Sequence, residues 1–533
     1  MTDESPGARL VPGTENLVAR LLDIPAHTGL KRWAAVVSRR LDWTLIASPV
    51  VTLAVMLWGV SARPYWGDEA DTVSAVSRSL PQLIRLLGHI DAVHGLYYLL
   101  LWPVARIAGT GEFAMRVPSA VAMAAAAAGV TAIARRLASR QAGLCAGLLF
   151  AALPTVSVQA HDARPYAMIT AVAVLASYLL VRAAQDPRPR LFIGYGFSLV
   201  LVGYVQLFGL LLVPAHAVTL IGLRRRRAMA EDGHLADAAR APLGRGWLMT
   251  IAVAGVAVAP VAILGWAQRA QIAWIPRPGW NDAGDLVNTL IAGPAAAVLI
   301  GLLGALGATR SGVLGSAGPQ APAGPRTSAR PRARAGGQDR GLARLALPWL
   351  VLPPAMLLAA SVIMPVYFSR YVTYCVPAMA LLAGTGLAAL RWPVRVAVLA
   401  LVVVLVTPVQ WAMRVPGGGI RAVAQFLAVH QRPGDGIIYP EPSIPPWYLA
   451  FPDGLGQLRD LSLAQTPGAA GRLDANTVPW PILERRERSV RRIWIVPALG
   501  GQDPAAYLAP GFRLAREWKL DGYQIVLLYT KSG

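Results

Sequence analysis

The chain has 533 residues, of which 55% are hydrophobic and 15% charged, and its mean hydropathy is +0.47. Apolar runs of about 20 residues recur along it, a pattern typical of a polytopic α-helical membrane protein rather than a soluble enzyme. The formal net charge of +22 does not indicate a nucleic-acid partner, because the Arg residues cluster in short connections between apolar runs. Cys145 and Cys375 both lie inside apolar runs, so neither a structural disulfide nor a cysteine metal site is expected.

Apolar length and the distribution of Arg predict about eleven transmembrane helices, in a domain over residues 43–412. Residues 1–42 lack the pattern of a cleaved signal and are interpreted as a cytoplasmic tail. The first span follows Arg39 and Arg40 and therefore runs outward. The predicted spans are 43–61, 115–134, 141–158, 165–184, 190–205, 207–223, 246–266, 286–308, 345–364, 372–389 and 396–412.

The apolar run at 96–108 is too short to be counted as a span, since a full crossing needs about 20 residues. We interpret it, with residues 80–87, as juxtamembrane helices in one outer loop over 62–114. Counting it as a span would turn Arg135 and Arg136 outward, against the positive-inside rule.

Two further segments follow from composition. The Pro/Gly/Ala/Arg-rich stretch 310–343 has no apolar period and is predicted to be a disordered cytoplasmic loop, and the Arg run 224–227 is interpreted as topological only. Beyond residue 412, helical spacing in IRAVAQFLAVH is followed by the strand-like runs IIY, RRIWIVPAL and YQIVLLYT. With an odd number of spans, residues 413–533 are predicted to form a small extracytoplasmic α/β domain.

An adjacent acidic pair, Asp68 and Glu69, comes directly after the first span. Carboxylates at a membrane boundary are costly unless they meet a substrate, a metal or an Arg. A carboxylate can also accept the proton of an attacking hydroxyl as a C–O bond forms. We therefore predict that both residues are catalytic. The alternative is an exposed acidic loop, or an N-cap for the helix expected over 70–78.

Arg164 and Arg370 each lie at an outer helix boundary, next to Tyr166 and Tyr371. Arg at the outer face runs against the positive-inside trend, and its fork of donors suits a phosphate leaving group. Together with Asp162 of the same HDARPY segment, these residues are predicted to bind substrate. The alternative is that the Arg side chains snorkel to lipid headgroups, with Tyr as belt residues.

His94, Tyr97 and Tyr98 are further candidates for substrate binding, either by hydrogen bonds to a sugar or by holding a cation with Glu69. A single His without a second nitrogen ligand nearby is weak evidence for a metal, so no metal ligand is assigned and a divalent cation is the one cofactor left open. Interfacial packing is the alternative for all three.

Trp266, Trp274 and Trp280 lie in an outer loop. They either line a groove for a lipid tail or belong to an aromatic belt.

Several motifs, in this order and at these membrane positions, resemble the GT-C superfamily of glycosyltransferases, in particular the protein O-mannosyltransferase and aminoarabinose-transferase-like branch. The resemblance covers roughly residues 40–412. The motifs are GDEA at 67–70, HGLYYLL at 94–100, GEFAMRVPSA at 111–120, ARPYAM at 163–168, SRY at 369–371 and VPAMALLAG at 376–384.

The resemblance implies a polyprenyl-phosphate-linked monosaccharide as donor, with mannose and arabinose as the sugars considered. It also implies inverting transfer to an acceptor outside the cytoplasm. Relatives often have a Pro-Pro pair where this chain has His94 and Gly95. The implied roles are Asp68 as base, Glu69 as its neighbour, His94 and Tyr97 as part of the outer-loop wall, and Arg164 and Arg370 as phosphate contacts.

Two rival functions stay open at this point. A transporter or flippase of lipid-linked sugars also gathers Arg near carboxylates, but it is expected to place ionisable residues near the midplane of repeated halves, and the predicted spans are nearly free of acids. A non-catalytic subunit of a cell-wall assembly complex fits the outer domain, but gives no reason for the acidic pair. The partners predicted here are a polyprenyl-phosphate-sugar donor, an extracytoplasmic acceptor and membrane lipid.

Overall fold

A computed structural model of the chain describes residues 42–230, 233–291, 294–310, 335–440, 455, 457–473, 475–497, 503–520 and 524–532. The predicted cytoplasmic tail, apart from residue 42, and residues 311–334 of the predicted disordered loop lie outside the described residues. Side chains are described for this set except 224–242, 291–295 and 335–340.

The described residues before residue 413 are mainly helical. Short 3-10 helices at Ala92–His94, Leu207–Leu211, Arg269–Ile272 and Ser369–Cys375 connect some of the α-helices. The α-helices are α1 (Trp43–Leu57), α2 (Gly67–Val76), α3 (Leu80–His89), α4 (Gly95–Ala108), α5 (Glu112–Leu137), α6 (Arg140–Ala152), α7 (Pro154–Ala160), α8 (Tyr166–Gln185), α9 (Pro189–Val205), α10 (Leu212–Ala230), α11 (Gly233–Ala267), α12 (Trp280–Ile291), α13 (Pro294–Arg310), α14 (Ala335–Ile363), α15 (Val376–Ala388) and α16 (Trp392–Ala412).

Among the described residues, six helices are long and apolar enough to cross a membrane, and the pair α6 and α7, bent by 62°, makes a seventh if it is one broken span. Shorter apolar helices lie at Trp43–Leu57, Pro189–Val205, Leu207–Leu223 and Ala296–Arg310. Each predicted span overlaps one of these helices, so the polytopic architecture is confirmed, whereas the count of eleven stays a prediction.

Three helix boundaries differ from the sequence prediction. The predicted span 286–308 is divided between α12 and α13, and α14 begins at Ala335, inside the stretch predicted to be a loop. The predicted span 141–158 is broken at Pro154, because a proline has no N–H to continue the helical ladder and its ring clashes with the preceding turn.

The helices pack closely where glycines face a neighbouring helix. A Cβ atom added to Gly384 of α15 would lie 2.3 Å from the Cα atom of Ala146 in α6. A Cβ atom on Gly307 of α13 would lie 2.1 Å from the carbonyl oxygen of Leu382. Small residues permit this approach of helix backbones, as is common in membrane bundles.

The outer loop contains α2, α3 and α4 in succession. The last of these has 14 residues, or about 21 Å at 1.5 Å per residue, and is shorter than the hydrocarbon core of about 30 Å. Its buried face, which includes Tyr97, Tyr98 and Leu101, packs against Val73 and Leu83 of the two preceding helices.

The region after residue 413 forms a small α/β domain, as predicted. Its strands are β1 (Gly436–Ile438), β2 (Arg459–Asp460), β3 (Leu463–Gln465), β4 (Asn476–Thr477), β5 (Arg492–Ile495), β6 (Phe512–Leu520) and β7 (Gln524–Lys531), and its α-helices are α17 (Gly419–His430), α18 (Pro467–Ala470) and α19 (Trp480–Glu487). The sheet order is β2-β1-β5-β7-β6, in which β1 is parallel to β2 and β5, while β7 is antiparallel to β5 and β6. Separate apolar clusters contain Leu427 of α17 and Leu483 of α19.

The α/β domain contacts the start of the outer loop. Arg421 forms an ion pair with Glu112, and the backbone N–H of Gly417 donates to the carbonyl of Ala62 at 3.4 Å. Gly59 has a φ of +70°, and a Cβ atom there would lie 2.8 Å from Cγ of Arg414, so the backbone conformation and the packing both favour glycine at the end of the first span.

Candidate functional site

The acidic pair lies in the first turn of α2. The carboxylate of Glu69 accepts a hydrogen bond from the backbone N–H of Trp66 at 3.4 Å, which closes the N-terminus of the helix. The alternative predicted from the sequence, a role in capping the helix, therefore applies to Glu69. Successive residues of a helix point in different directions, and the two carboxylates have different partners.

The Glu69 carboxylate is completely buried and forms a two-point ion pair with Arg116 of α5. The Nε and Nη2 atoms of Arg116 lie 2.7 and 2.6 Å from its two oxygens. The backbone N–H of Ala163 also donates to Glu69 at 2.8 Å. These donors hold Glu69 as a buried anion that joins α2, α5 and the HDARPY segment. Glu69 and Arg116 also line a cavity, and the catalytic role of Glu69 stays a prediction.

Arg116 is a site residue that the sequence reasoning missed. Its guanidinium also donates to the backbone carbonyls of Val60 and Arg63, at 2.9 and 2.8 Å. The signal was present, because an Arg near the start of a predicted span is costly without a partner.

The Asp68 carboxylate faces the two predicted arginines. Its Oδ2 atom lies 3.0 Å from Nη1 of Arg370 and 3.9 Å from Nη2 of Arg164, and its side chain is 30% exposed. Three charged residues from distant parts of the sequence thus meet at one point. Asp68 is the accessible member of the acidic pair.

Arg164 is buried and held by hydrogen bonds. It donates to the carbonyl of Asp68 at 3.3 Å and to the hydroxyl of Tyr98 at 3.4 Å, and it lies 3.5 Å from Nε2 of His94. Since a guanidinium only donates, Nε2 of His94 is the acceptor, and its Nδ1–H donates to Asp91 at 2.8 Å.

Asp91 supports this arrangement and was not found from the sequence. Its other oxygen accepts from the Tyr98 hydroxyl at 2.5 Å, and its φ of +63° is uncommon for a residue other than glycine. Burial alone raises the pKa of this carboxyl, but the hydrogen-bonded His94 and the charge of Arg164 bring the pKa well below its usual range. Asp91 therefore stays ionised.

Two cavities meet at Arg370, which lines both. The first has a volume of about 570 Å³, and its lining includes Trp66, Gln159, His161, Asp162 and Asn288. The second has a volume of about 360 Å³, and its lining includes Asp68, His94, Arg164, Tyr166 and Tyr371 together with many apolar side chains.

Tyr97 and Tyr98, which were predicted to bind substrate, are both completely buried and are not among the described residues that line either cavity. Their α4 face is covered by α2 and α3. The Tyr98 hydroxyl bonds to Asp91 and Arg164. The role of these two residues in substrate binding stays a prediction.

Asp162 lies in the wall of the first cavity and accepts a hydrogen bond from the indole N–H of Trp66 at 3.1 Å. Burial, with the nearby negative charge of Glu69, raises the pKa of Asp162 to about 7. The neighbouring His161 is close to the backbone carbonyl of Met56, at 2.8 Å. Burial lowers the pKa of His161 to about 4, so it is neutral and donates this hydrogen bond.

Aromatic side chains surround Arg370. Its guanidinium carbon lies 4.8 Å from the ring centre of Trp66, 5.9 Å from that of Tyr166 and 4.5 Å from that of Phe368. Such contacts hold a cation in place while leaving its N–H groups available for an anion.

The described residues contain no group of three or more His, Cys, Asp or Glu side chains that could hold a metal ion. Glu69 is engaged by Arg116, and Asp68 lies beside two guanidinium groups. The charges of this donor set do not fit a divalent cation.

Comparison with known proteins gives two kinds of match. Residues 96–239 match the family described as dolichyl-phosphate-mannose-protein mannosyltransferase. A comparison with curated protein sequences found no match.

The structure is similar to that of ArnT from Cupriavidus metallidurans in the apo state, at 13% identity and a TM-score of 0.57, with 94% of this chain and 98% of that chain covered. ArnT bound to undecaprenyl phosphate matches at 14% identity and a TM-score of 0.54, with 91% and 97% covered. The oligosaccharyltransferase of Archaeoglobus fulgidus, in complex with Zn and sulfate, matches at 12% identity and a TM-score of 0.46, with 85% and 68% covered. The ArnT matches show the fold of this chain, and with the family match they confirm the resemblance to the GT-C glycosyltransferases.

Proposed function

We propose that this chain, a glycosyltransferase of the GT-C fold, transfers a monosaccharide with inversion from a polyprenyl-phosphate donor to a hydroxyl group of an extracytoplasmic acceptor. One observation carries the proposal. The accessible carboxylate of Asp68 lies within 4 Å of two guanidinium groups, where two cavities meet. This is the arrangement needed to bring a base, a leaving-group anchor and two substrates together.

The second cavity suits the donor. Apolar and aromatic side chains such as Leu207, Phe208 and Trp274 line it and offer contacts for a prenyl chain. Arg164 and Arg370 stand beside them and offer the donors that a phosphate prefers. The similar ArnT structure with undecaprenyl phosphate bound supports this assignment.

The first cavity suits the acceptor, because its lining is more polar. The side-chain oxygen of Gln159 is buried and accepts no hydrogen bond within the described part of the chain. An orphaned buried acceptor is costly, and a hydroxyl group of the acceptor would satisfy it. Asp162, in the same wall, offers a second acceptor.

The chemistry then follows in one displacement. The acceptor hydroxyl gives its proton to Asp68 as its oxygen bonds to C1 of the sugar. The bond from C1 to the phosphate oxygen breaks on the opposite face, and its electron pair leaves with the polyprenyl phosphate. Arg164 and Arg370 stabilise the negative charge that develops on that phosphate. A single attack from the face opposite the leaving group gives inversion.

The Asp68→Asn variant tests the proposal. We expect its transfer rate from a polyprenyl-phosphate sugar to fall by at least about 100-fold, because the proton acceptor is lost, while binding of undecaprenyl phosphate is retained. Asp186→Asn, which removes a carboxylate paired with Arg188 in the connection after α8, is the control. Near-normal turnover in a folded Asp68→Asn protein would remove the central role of this residue, and donor movement across a vesicle membrane without transfer would favour a flippase.

A further inference from the structure

A turn of the C-terminal domain reaches the second cavity. It follows α18 and contains Gly471, whose φ is +67°, and Leu473. The Leu473 side chain packs against the apolar cluster of the outer loop that includes Val73 and Leu83. Among the described residues that line the second cavity, with Asp68 and Arg164, Leu473 is the one from the C-terminal domain.

The turn is anchored by Arg78, which follows α2. The Arg78 side chain is buried, and its Nη2 atom donates to the backbone carbonyl of Arg472. The hydroxyl of Ser74, in the last part of α2, lies 3.5 Å from the carbonyl of Leu473. These two contacts join the turn to the helix whose first turn carries Asp68.

Arg78 is buried, and the nearby negative charge of Asp71 favours its charged form. The Trp102 indole N–H donates to the Arg78 carbonyl at 2.9 Å, which fixes the backbone at this position. The Arg78 guanidinium donates to the carbonyl of Arg472 and to the hydroxyl of Ser74, and burying a guanidinium against neutral partners costs stability. A role of Arg78 in holding the turn accounts for this cost.

We infer that the C-terminal domain completes the donor site, and that Leu473 is a positioning residue that covers the sugar-phosphate end of the second cavity. The inference rests on the proposed function. Water competes with the acceptor for C1 of the bound sugar, and hydrolysis would release free sugar and polyprenyl phosphate. An apolar side chain in the wall of the cavity that Asp68 and Arg164 also line keeps water from this bond and strengthens the electrostatic contacts around it.

Two substitutions in the full-length protein test this role. Leu473→Trp adds volume to the cavity wall, and we expect the Kd for undecaprenyl phosphate and the KM for the donor to rise about tenfold, with the acceptor KM unchanged. Leu473→Ser admits water, and we expect a several-fold larger share of consumed donor to appear as free sugar rather than transferred product. If Leu473 only stabilised the fold, the ratio of free sugar to transferred product would not change.

Leu514→Ser is the matched control, since Leu514 is a half-exposed leucine of the same domain on β6 and is not a described lining residue of the cavity. Arg78→Met should also raise the share of consumed donor that appears as free sugar, and Arg78→Lys should raise it less. The inference is overturned if folded Leu473→Trp binds undecaprenyl phosphate like wild type, or if Leu473→Ser leaves the partition unchanged. If wild type binds undecaprenyl phosphate but transfers no sugar, the proposed function fails while the Kd of Leu473→Trp still decides this inference.

Discussion

Asp68 and Glu69 are neighbours in the chain, but their carboxylates lie in different environments. Asp68 is 30% exposed beside Arg370, whereas Glu69 is completely buried against Arg116. The sequence predicted that both are catalytic, with Asp68 as the base and Glu69 as its neighbour. The position of Arg116, 47 residues away from Glu69 in the sequence, distinguishes the environment of Glu69 from that of Asp68, the proposed base.

The buried pair of Glu69 and Arg116 predicts a strong effect on stability. Glu69→Gln and Arg116→Met should each lower the free energy of unfolding by about 3–5 kcal/mol, because each leaves one buried charge without its partner. The double variant should be more stable than either single variant. Thermal unfolding in detergent measures this, with Arg488→Gln, which breaks the exposed pair with Glu484, as a control that should cost less than about 1 kcal/mol. If the loss of unfolding free energy in the double variant equals the sum of the two single losses, Glu69 and Arg116 are not coupled.

The buried carboxyl of Asp162 predicts a pH-dependent stability. Its pKa of about 7 lies above the value of about 3.9 in an unfolded chain, so between these values the folded state binds more protons. The free energy of unfolding should therefore fall as the pH rises through this window and level off above it. Asp162→Asn, which keeps an acceptor for the Trp66 indole, should gain stability relative to wild type between pH 5 and pH 8. Thermal unfolding measures the stability difference between Asp162→Asn and wild type. If this difference is the same at pH 5 and at pH 8, Asp162 does not titrate in this window.

At the scale of elements, the bend of 62° between α6 and α7 determines what reaches the first cavity. The bend places Gln159, His161 and Asp162 in its wall. Pro154 is visible in the sequence as a helix breaker, but the direction of the bend depends on contacts across the bundle. One of them is the hydrogen bond from the Thr155 hydroxyl to the carbonyl of Thr289 in α12, at 2.6 Å.

Thr155→Val should therefore lower stability by about 1–3 kcal/mol, because the Thr289 carbonyl loses its donor at nearly constant side-chain volume. We also expect a higher acceptor KM and an unchanged donor KM, since α12 forms the far wall of the first cavity. Thr170→Val is the control, because the buried Thr170 hydroxyl only donates to the Tyr166 carbonyl of its own helix. Equal effects of the two substitutions would contradict the role of the contact between α7 and α12.

For the whole molecule, the described residues bring the GDEA and HDARPY segments together, as the hydrogen bond from the backbone N–H of Ala163 to Glu69 shows. This agrees with the predicted placement of both segments on one face. Asp42, at the start of α1, instead pairs with Arg135 and Arg140, where α5 ends and α6 begins. The helices therefore separate the acidic pair from the Arg-rich connection predicted to be cytoplasmic.

An odd number of spans predicts opposite labelling at two exposed positions. A cysteine at Leu514, on β6, should react with a membrane-impermeant maleimide in intact cells, and a cysteine at Gln141, at the start of α6, only after permeabilisation. Wild type is the control, because Cys145 and Cys375 are both buried. If both positions react in intact cells, the number of spans between them is even. The predicted topology, with residue 141 and the α/β domain on opposite sides of the membrane, would then be wrong.

Much of this protein was predictable from the sequence alone. Apolar length, Arg bias and turn residues are properties of neighbouring residues, so the polytopic helical architecture and the α/β character of the C-terminal domain could be read along the chain. Asp68, Arg164 and Arg370 could be predicted as site residues because a charge at a membrane boundary is costly wherever the chain goes afterwards.

Tertiary structure alone decided which charge meets which. Glu69 pairs with Arg116, and Leu473 lines the same cavity as Asp68, because segments distant in sequence pack together. The strength of such contacts depends on distance and burial. Neither distance nor burial can be derived from the spacing of residues along a chain.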